Sequence, residues 1–226
     1  MSSRYEYKYR IDAAQQALLA AKAAGLMLPD EHTDAAGVYV VRSLYLEDVF
    51  DSCLQDNLRG AEPRSKFRVR RYGDDLSYLV LEKKTKRGGM SEKESCRLTP
   101  DECRAILAGD IPLATPDMDM RKQRLLTEAR LRALRPRTIV TYTRRPFVYP
   151  AGSVRVTFDS GLTASHETER FLTPDYLRRP VLPPGEAVME VKWTGVMPRH
   201  IHGALQDEHL VWSAFSKYTV CRLLDR

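Results

Sequence analysis

The stretch Lys66-Phe67-Arg68-Val69-Arg70 places a basic residue at every second position. Side chains alternate between the two faces of a β-strand, so the three cations share one face and the two apolar residues share the other. A half-buried sheet that turns its polar face to water has no need for a single sign of charge. The stretch therefore predicts a strand whose basic face meets a polyanion.

The same alternation recurs in four more segments, which are residues 4–10, 82–86, 155–159 and 190–193. A period of two sustained over five segments predicts strands of one sheet. The aromatic residues of these segments fall on the face opposite the charges. Sheets that bind nucleic acid place aromatics among the basic residues so that bases can stack. We therefore expect no specific nucleic-acid partner, and we expect the aromatic face to pack against helices.

Turn residues and helix caps divide the chain into about eight strands, mostly in antiparallel hairpins, with helices between them. The fold class predicted is α+β, with an antiparallel eight-stranded β-barrel and helices packed outside. The pattern predicts strands at 4–11, 38–46, 66–72, 77–86, 91–98, 138–145, 154–159 and 187–193, and helices at 13–24, 100–109, 118–134, 198–205 and 213–224. Residues 146–152 are predicted as a hairpin connection. Nothing marks a domain boundary, so we expect a single domain over residues 1–226.

Composition restricts the partners. The chain has 226 residues and a formal charge of +6, which favours an anionic partner. Its four cysteines show no spacing typical of zinc, and the chain begins without an apolar signal segment, so reduced thiols and a cytoplasmic location are expected. No apolar run approaches the roughly 20 residues that span a bilayer, and no membrane span is expected in this chain.

Acidic residues also occur on the basic faces, namely Glu6, Glu82, Asp159 and Glu190. Each stands two residues from a cation, except Asp159, whose neighbour Arg155 is four residues away. One interpretation is internal salt bridging among crowded charges. The other is a site for magnesium or manganese, hard cations that bind carboxylate and phosphate oxygens together. Both interpretations can hold at one site, and Glu190 is the strongest candidate ligand.

The strand motifs, taken in order, resemble the polyphosphate polymerase domain of the VTC (vacuolar transporter chaperone) family, a branch of the triphosphate tunnel metalloenzymes. The similarity extends from residue 4 to about 222. It is carried by Arg4-Tyr5-Glu6-Tyr7-Lys8-Tyr9, Ser43-Leu44-Tyr45-Leu46, residues 66–73, Leu81-Glu82-Lys83-Lys84, Tyr142-Thr143-Arg144-Arg145, residues 154–159, Met189-Glu190-Val191-Lys192 and Ser216-Lys217-Tyr218.

The resemblance implies a tunnel of eight antiparallel strands that is lined by basic side chains. The phosphate-binding set implied is Lys8, Lys66, Arg68, Arg70, Lys84, Lys93, Arg144, Arg155 and Lys217. Catalytic roles would fall to Arg68, Arg70, Lys84 and Lys192. Glu190 would hold Mn²⁺ or Mg²⁺, with Glu6 as the next candidate ligand.

The activity implied is transfer of the γ-phosphoryl group of ATP onto a growing polyphosphate chain, so ATP and polyphosphate are the expected partners. Two alternatives stay open at this stage. One is a tunnel triphosphatase acting on inorganic triphosphate or a nucleoside triphosphate, and the other is a non-catalytic polyphosphate-binding module. The sequence also leads us to expect a stand-alone form without the SPX domain and membrane helices of the eukaryotic pattern, which is compatible with membrane-associated partner proteins.

Overall fold

The structure is a computed structural model that describes residues 4–88 and 90–224, without the side chain of Arg4. The chain divides into two compact units. Unit 1 contains residues 4–40, 142–162 and 180–216. Unit 2 contains residues 41–141, 163–179 and 217–224 of the described chain. The expectation of one domain over residues 1–226 stays a prediction, and each unit is described in turn.

Unit 1 is built on four long strands in the order β1, β10, β8, β7. Residues 142–149 of β7 and 154–162 of β8 belong to this unit, and the rest of these two strands belongs to unit 2. The elements are β1 (Arg4–Ile11), α1 (Ala13–Leu26), β2 (Leu28–Pro29), β7 (Arg135–Tyr149), β8 (Val154–Ser165), β9 (Arg179–Pro180), β10 (Ala187–Thr194) and α5 (Arg199–Ala204).

Unit 2 continues from its part of β7 in the order β7, β3, β4, β5, β6. Its elements are β3 (Tyr39–Glu47), which begins in unit 1, α2 (Ser52–Arg59), β4 (Arg64–Tyr72), β5 (Leu79–Arg87), β6 (Met90–Leu98), α3 (Pro100–Leu107), α4 (Met120–Leu131) and α6 (Lys217–Leu223). The predicted fold class is confirmed, because the fold is α+β and its eight long strands form an antiparallel sheet.

Each unit has its own hydrophobic core, and the alternation of the strands explains why. In unit 2, Phe67 and Val69 of β4 are fully buried, together with apolar residues of β3, β5, α3 and α4. In unit 1, Val156 and Phe158 of β8 are fully buried with apolar residues of β10 and α1. The cations of these strands are therefore left on the opposite face.

The hairpin connection predicted at residues 146–152 is wrong at its start, because β7 continues to Tyr149. The extension is paired: Phe147 and Val148 lie opposite Pro29 and Leu28 of β2. The local sequence does not predict β2, because the strand is only two residues long and both residues are exposed. None of the helices in the described ranges is long and apolar enough to cross a membrane.

Helix α2 was not predicted, and the reason is its cap. Asp51, at the N-cap position, is in the left-handed region with φ 55° and makes no capping hydrogen bond. The first turn instead donates to the buried carboxylate of Glu47 at the end of β3, from the backbone N–H groups of Cys53 (2.9 Å) and Leu54 (3.0 Å). The capping group lies outside the sequence window in which helix starts are usually sought.

The same Glu47 carboxylate anchors α6. It accepts a short hydrogen bond from the hydroxyl of Tyr218, and the Arg222 guanidinium lies 3.8 Å away. Arg222 also donates to Asp51 at 2.8 Å. Tyr218 and Arg222 are both buried, so one carboxylate fixes α2 and α6 of unit 2.

We expect Glu47→Gln to lower the free energy of unfolding by about 1.5–3 kcal/mol, because a neutral amide replaces a buried acceptor of charge-assisted hydrogen bonds. Urea denaturation followed by circular dichroism measures this. Glu31→Gln removes the same charge from a side chain that is 86% exposed and serves as the control. Equal stability of the two variants would contradict the anchoring role.

Candidate functional site

The predicted metal ligands lie with two predicted lysines on β1 and β10 of unit 1. The strands pair so that Glu6 is opposite Lys192 and Lys8 is opposite Glu190. The Lys8 ammonium is 2.5 Å from Glu6 and 3.9 Å from Glu190. The Lys192 ammonium is 2.7 Å from Glu190 and 3.9 Å from Glu6. Two carboxylates and two ammonium groups thus alternate in one cluster, which we call the β1/β10 cluster.

Arg144 of β7 extends this cluster. Its guanidinium donates two hydrogen bonds to the carboxylate of Asp159 of β8, from Nε to Oδ1 at 2.7 Å and from Nη2 to Oδ2 at 2.8 Å. It also lies 3.8 Å from Glu190. Burial lowers the pKa of Arg144, but the Asp159 carboxylate outweighs it, and the pKa lies well above its usual value. The bidentate pair fixes the orientation of the guanidinium, and Nη2 also donates to the Tyr142 hydroxyl at 3.3 Å.

Lys192 is the predicted catalytic residue of the β1/β10 cluster. Burial lowers its pKa to about 8, against the opposing effect of the carboxylates of Glu190 and Glu6. An ordinary lysine has a pKa near 10.4, so this ammonium gives up its proton more readily. The group can therefore bind phosphate when charged and is closer to proton transfer at neutral pH than a surface lysine.

Arg155 of β8 lies opposite Lys192 in register. The sequence suggested a pair between Arg155 and Asp159, but Asp159 binds Arg144, as described above. Arg155 is held instead by Asp30 at 2.9 Å and by the hydroxyl of Tyr39 at 3.0 Å. Arg155 and Asp159 lie on one face of β8, but the neighbouring strand β7 places Arg144 closer to Asp159, and Arg144 takes the carboxylate.

The predicted arginines of β4 gather around Glu82 of β5 in unit 2, and we call this group the β4/β5 cluster. Glu82 binds Arg68 at 2.7 Å, Lys93 at 3.3 Å and Arg70 at 3.6 Å. Its carboxylate is almost fully buried. Burial opposes its ionisation, but the two arginines and Lys93 outweigh this and lower the pKa of Glu82 to about 2. Arg68 also donates to the hydroxyl of Tyr45 at 3.1 Å.

Three predicted lysines form a row across β4, β5 and β6. Lys66 pairs in register with Lys84, and Lys84 pairs with Lys93. Like charges placed directly opposite one another destabilise a sheet. The row concentrates positive charge on this face of unit 2, and the ion pair of Lys93 with Glu82 offsets part of it. Lys217, the last predicted phosphate ligand, is the first residue of α6, whose Tyr218 ring lies 5.4 Å from the Lys66 ammonium.

The residues fit a divalent metal in a limited sense. In residues 4–88 and 90–224, no group of three His, Cys, Asp or Glu side chains is arranged to hold a metal ion. Mg²⁺ rarely uses such a protein cage and binds instead through one or two carboxylates plus substrate phosphate oxygens. Glu6 and Glu190 offer two carboxylates at the same pair of ammonium groups. The assignment of both as metal ligands stays a prediction.

The aromatic face differs from the expectation at one edge. Phe67 and Phe158 are buried as expected, but Tyr5 and Tyr7 of β1 are 46% and 45% exposed. They pack against Trp193 of β10, with Tyr5 stacked on the indole and Tyr7 meeting it edge to face, both at 5.1 Å. Here the aromatic residues cover one another instead of packing under a helix.

Several side chains that organise the cations were not among the predicted ligands. For Glu82 and Asp159 the sequence left internal salt bridging and metal binding open, and both form internal salt bridges, with Arg68 and Arg144. Tyr45 and Tyr142 occupy the ionic faces of β3 and β7, and strand alternation could have found them. Asp30 begins the loop between β2 and β3 and Tyr39 directly follows it, and no period in a loop indicates which side chain reaches Arg155.

Comparison with known proteins agrees with this geometry. The family model of the VTC domain matches residues 3–224, and the chain therefore belongs to the VTC domain family. The resemblance inferred from the strand motifs is confirmed. No curated protein matches the chain significantly.

Solved structures that are similar to the chain have low sequence identity to it. A protein from Bacillus halodurans, provisionally described as an adenylate cyclase, is 14% identical, with 91% of this chain and 87% of that chain covered and a TM-score of 0.51. The PH1819 protein from Pyrococcus horikoshii OT3 is 12% identical, with 98% and 100% covered and a TM-score of 0.49. The first likeness supports the fold alone. Family and fold together support a function in phosphate chemistry.

The β4/β5 cluster generates a prediction about acid stability. Because the pKa of Glu82 is lowered to about 2, its contribution to stability is complete above its ordinary pKa and is lost as the pH falls toward 2. We expect Glu82→Gln to be about 1.5–3 kcal/mol less stable than the wild type at pH 7, and the difference to shrink between about pH 4.5 and pH 2.

Urea denaturation at several pH values measures this difference. Glu92→Gln, at an exposed position on neighbouring β6, is the control and should track the wild type throughout. A difference that is independent of pH would show that Glu82 does not stabilise the fold through its charge.

Proposed function

We propose that the protein is a metal-dependent polyphosphate polymerase that uses ATP. The P–O bond between the β- and γ-phosphates breaks as a new one forms between the γ-phosphorus and the terminal oxygen of a polyphosphate chain, and ADP leaves. Membership of the VTC domain family supports this proposal. The observation that carries it is the β1/β10 cluster, where two carboxylates are interleaved with cations that suit phosphate.

The chain's own residues supply orientation and charge. Phosphoryl transfer needs little covalent chemistry from a protein, so positioning and electrostatic stabilisation do most of the work. Arg144 and Arg68 are each held by a buried carboxylate behind them, which fixes the planar guanidinium for phosphate oxygens. Because these donors are already in place, little reorganisation is needed when charge develops.

A divalent cation would be held by Glu190, with Glu6 as second carboxylate, and would neutralise charge on phosphate oxygens when bound. Lys8 and Lys192 form ion pairs with these two carboxylates. A non-catalytic polyanion binder has no need of two carboxylates that could hold a metal ion, so Glu6 and Glu190 favour an enzyme.

The decisive experiment incubates the purified protein with ATP and Mn²⁺ and follows polymer on a gel and free phosphate in parallel. We expect polymer to accumulate with equimolar release of ADP, and Glu190→Gln to abolish it. Glu186→Gln is the matched control. Glu186 directly precedes β10, and its carboxylate pairs with Arg10 outside the β1/β10 cluster, so this variant should retain activity. Release of phosphate without polymer would identify a triphosphatase. If neither polymer nor phosphate forms, the protein is a binding module and the proposed enzyme activity is wrong.

Arg68→Ala should lower the rate of polymer formation by about tenfold or more, because one fixed guanidinium donor is removed from the phosphates. Arg121→Ala removes the same charge from an exposed position on α4 and is the control. Thermal melts of both variants separate loss of activity from loss of fold. Turnover of Arg68→Ala near that of the wild type would overturn the assignment of this arginine.

A further inference from the structure

A second group of arginines lies on the other face of β3 and β4, away from the β4/β5 cluster. Arg42 and Arg71 are cross-strand partners, and their side chains are 5% and 1% exposed. Adjacent residues of a strand point to opposite faces, so Arg71 is directed away from the face of Arg70. Two guanidinium groups are thus buried side by side at the core face of unit 2.

Only one carboxylate compensates for this pair within the described ranges. Asp74 Oδ1 lies 2.8 Å from Arg71 Nη2 and 3.7 Å from Arg42 Nη2. The remaining acceptors are backbone carbonyls of residues 171–173, at 2.6–3.3 Å. The Nε atoms of both arginines are buried and have no hydrogen-bond partner in the described part of the chain.

A third cation adds to the imbalance. The guanidinium of Arg42 lies 4.7 Å from the centre of the Tyr176 ring, and that of the exposed Arg178 lies 5.3 Å from the same ring. Burial lowers the pKa of Arg42, and the charge of Arg178 acts in the same direction. Arginine stays protonated in proteins, so Arg42 and Arg178 place two positive charges at one ring, next to the Arg71 charge that shares Asp74 with Arg42.

The Asp74 carboxylate is the partner of Arg42 and Arg71 that another anion could replace. The Asp74 side chain is 72% exposed, whereas those of its two arginine partners are buried. It stands in the β4–β5 turn, directly after Gly73 with φ 52°. Rotation of the Asp74 side chain into solvent would break its contacts with both arginines and leave their Nη2 atoms available, and an anion that took its place would offset that cost.

We propose that Arg42, Arg71 and Arg178 form a second anion site, which takes a phosphate dianion in competition with the Asp74 carboxylate. A tetrahedral oxyanion with two charges would engage the Nη2 atoms of both buried arginines, where Asp74 offers a single oxygen. The ligand is orthophosphate or the terminal phosphate of a polyphosphate. The site does not depend on the reaction proposed above, because it shares no residue with either cluster.

Isothermal titration with orthophosphate at constant ionic strength tests the proposal. All chains carry Arg68→Gln and Arg144→Gln, so that binding at the two clusters is suppressed. Adding Asp74→Asn removes the competing carboxylate and should tighten phosphate binding on the order of tenfold. Asp75→Asn is the matched control: it removes the same charge one residue along, where the carboxylate accepts hydrogen bonds from Ser77 and not from the arginines.

Adding Arg178→Gln to the Asp74→Asn chain should weaken binding severalfold. Asp74, Asp75 and Arg178 are exposed, so changes there should not disturb folding. Arg68→Gln and Arg144→Gln remove the partners of two buried carboxylates, so circular dichroism first verifies that the shared background folds. If it does not, the Asp74→Asn and Asp75→Asn chains are compared in the wild-type background, where binding at the two clusters is common to both. Tripolyphosphate titrated in parallel distinguishes the sources: equal affinity indicates a terminal phosphate, and binding of orthophosphate alone indicates the free ion. Equal phosphate affinity of the Asp74→Asn and Asp75→Asn chains, or no binding in either, would overturn the proposal.

Discussion

Repulsion among cations on the same strand face is the constraint on which the remaining structure depends. Lys66, Lys84 and Lys93 stand directly opposite one another across three strands. Such pairs destabilise a sheet unless opposite charge is close. Glu82 supplies that charge two residue pairs along the β4–β5 register, opposite Arg68 and on the same face. In the β4/β5 cluster, one buried carboxylate therefore permits several cations to remain close together, and the cations still outnumber the acid.

Both units place the carboxylate deeper than the guanidinium that it binds. The side chain of Asp159 is fully buried and that of Arg144 is 12% exposed, while Glu82 and Arg68 show 5% and 18%. The acid thus holds each arginine from the core side and leaves part of the guanidinium facing outward. Removing two charges from water is costly, so a pair of this kind is poor evidence for stability alone. Its consequence for function is orientation, because an arginine fixed from behind loses little freedom when it binds phosphate.

Strand alternation made most of the sheet predictable, since charge and apolar character repeat every two residues in β1, β4, β5, β8 and β10. Register was not predictable in the same way. Glu6 opposite Lys192 and Arg144 beside Asp159 are cross-strand relations, and sequence spacing suggested Arg155 for Asp159 instead. Helix α2 and strand β2 were missed for a related reason. One is capped by Glu47 from the preceding strand, and the other is two residues long and depends on β7 for its hydrogen bonds.

The doublet Arg70-Arg71 interrupts the alternation of basic and apolar residues in β4. The two arginines point to opposite faces of the strand, and their charges are compensated differently. Arg70 faces the ionic side, where the buried carboxylate of Glu82 is close by. Arg71 faces the core, where it shares with Arg42 a single carboxylate that is mostly in solvent. Water screens an exposed charge, so Asp74 compensates the buried arginines far less than Glu82 compensates Arg68. The charge of the pair on the core face is therefore compensated less fully within the chain than the charge of Arg68, and this difference is the basis of the second anion site proposed above.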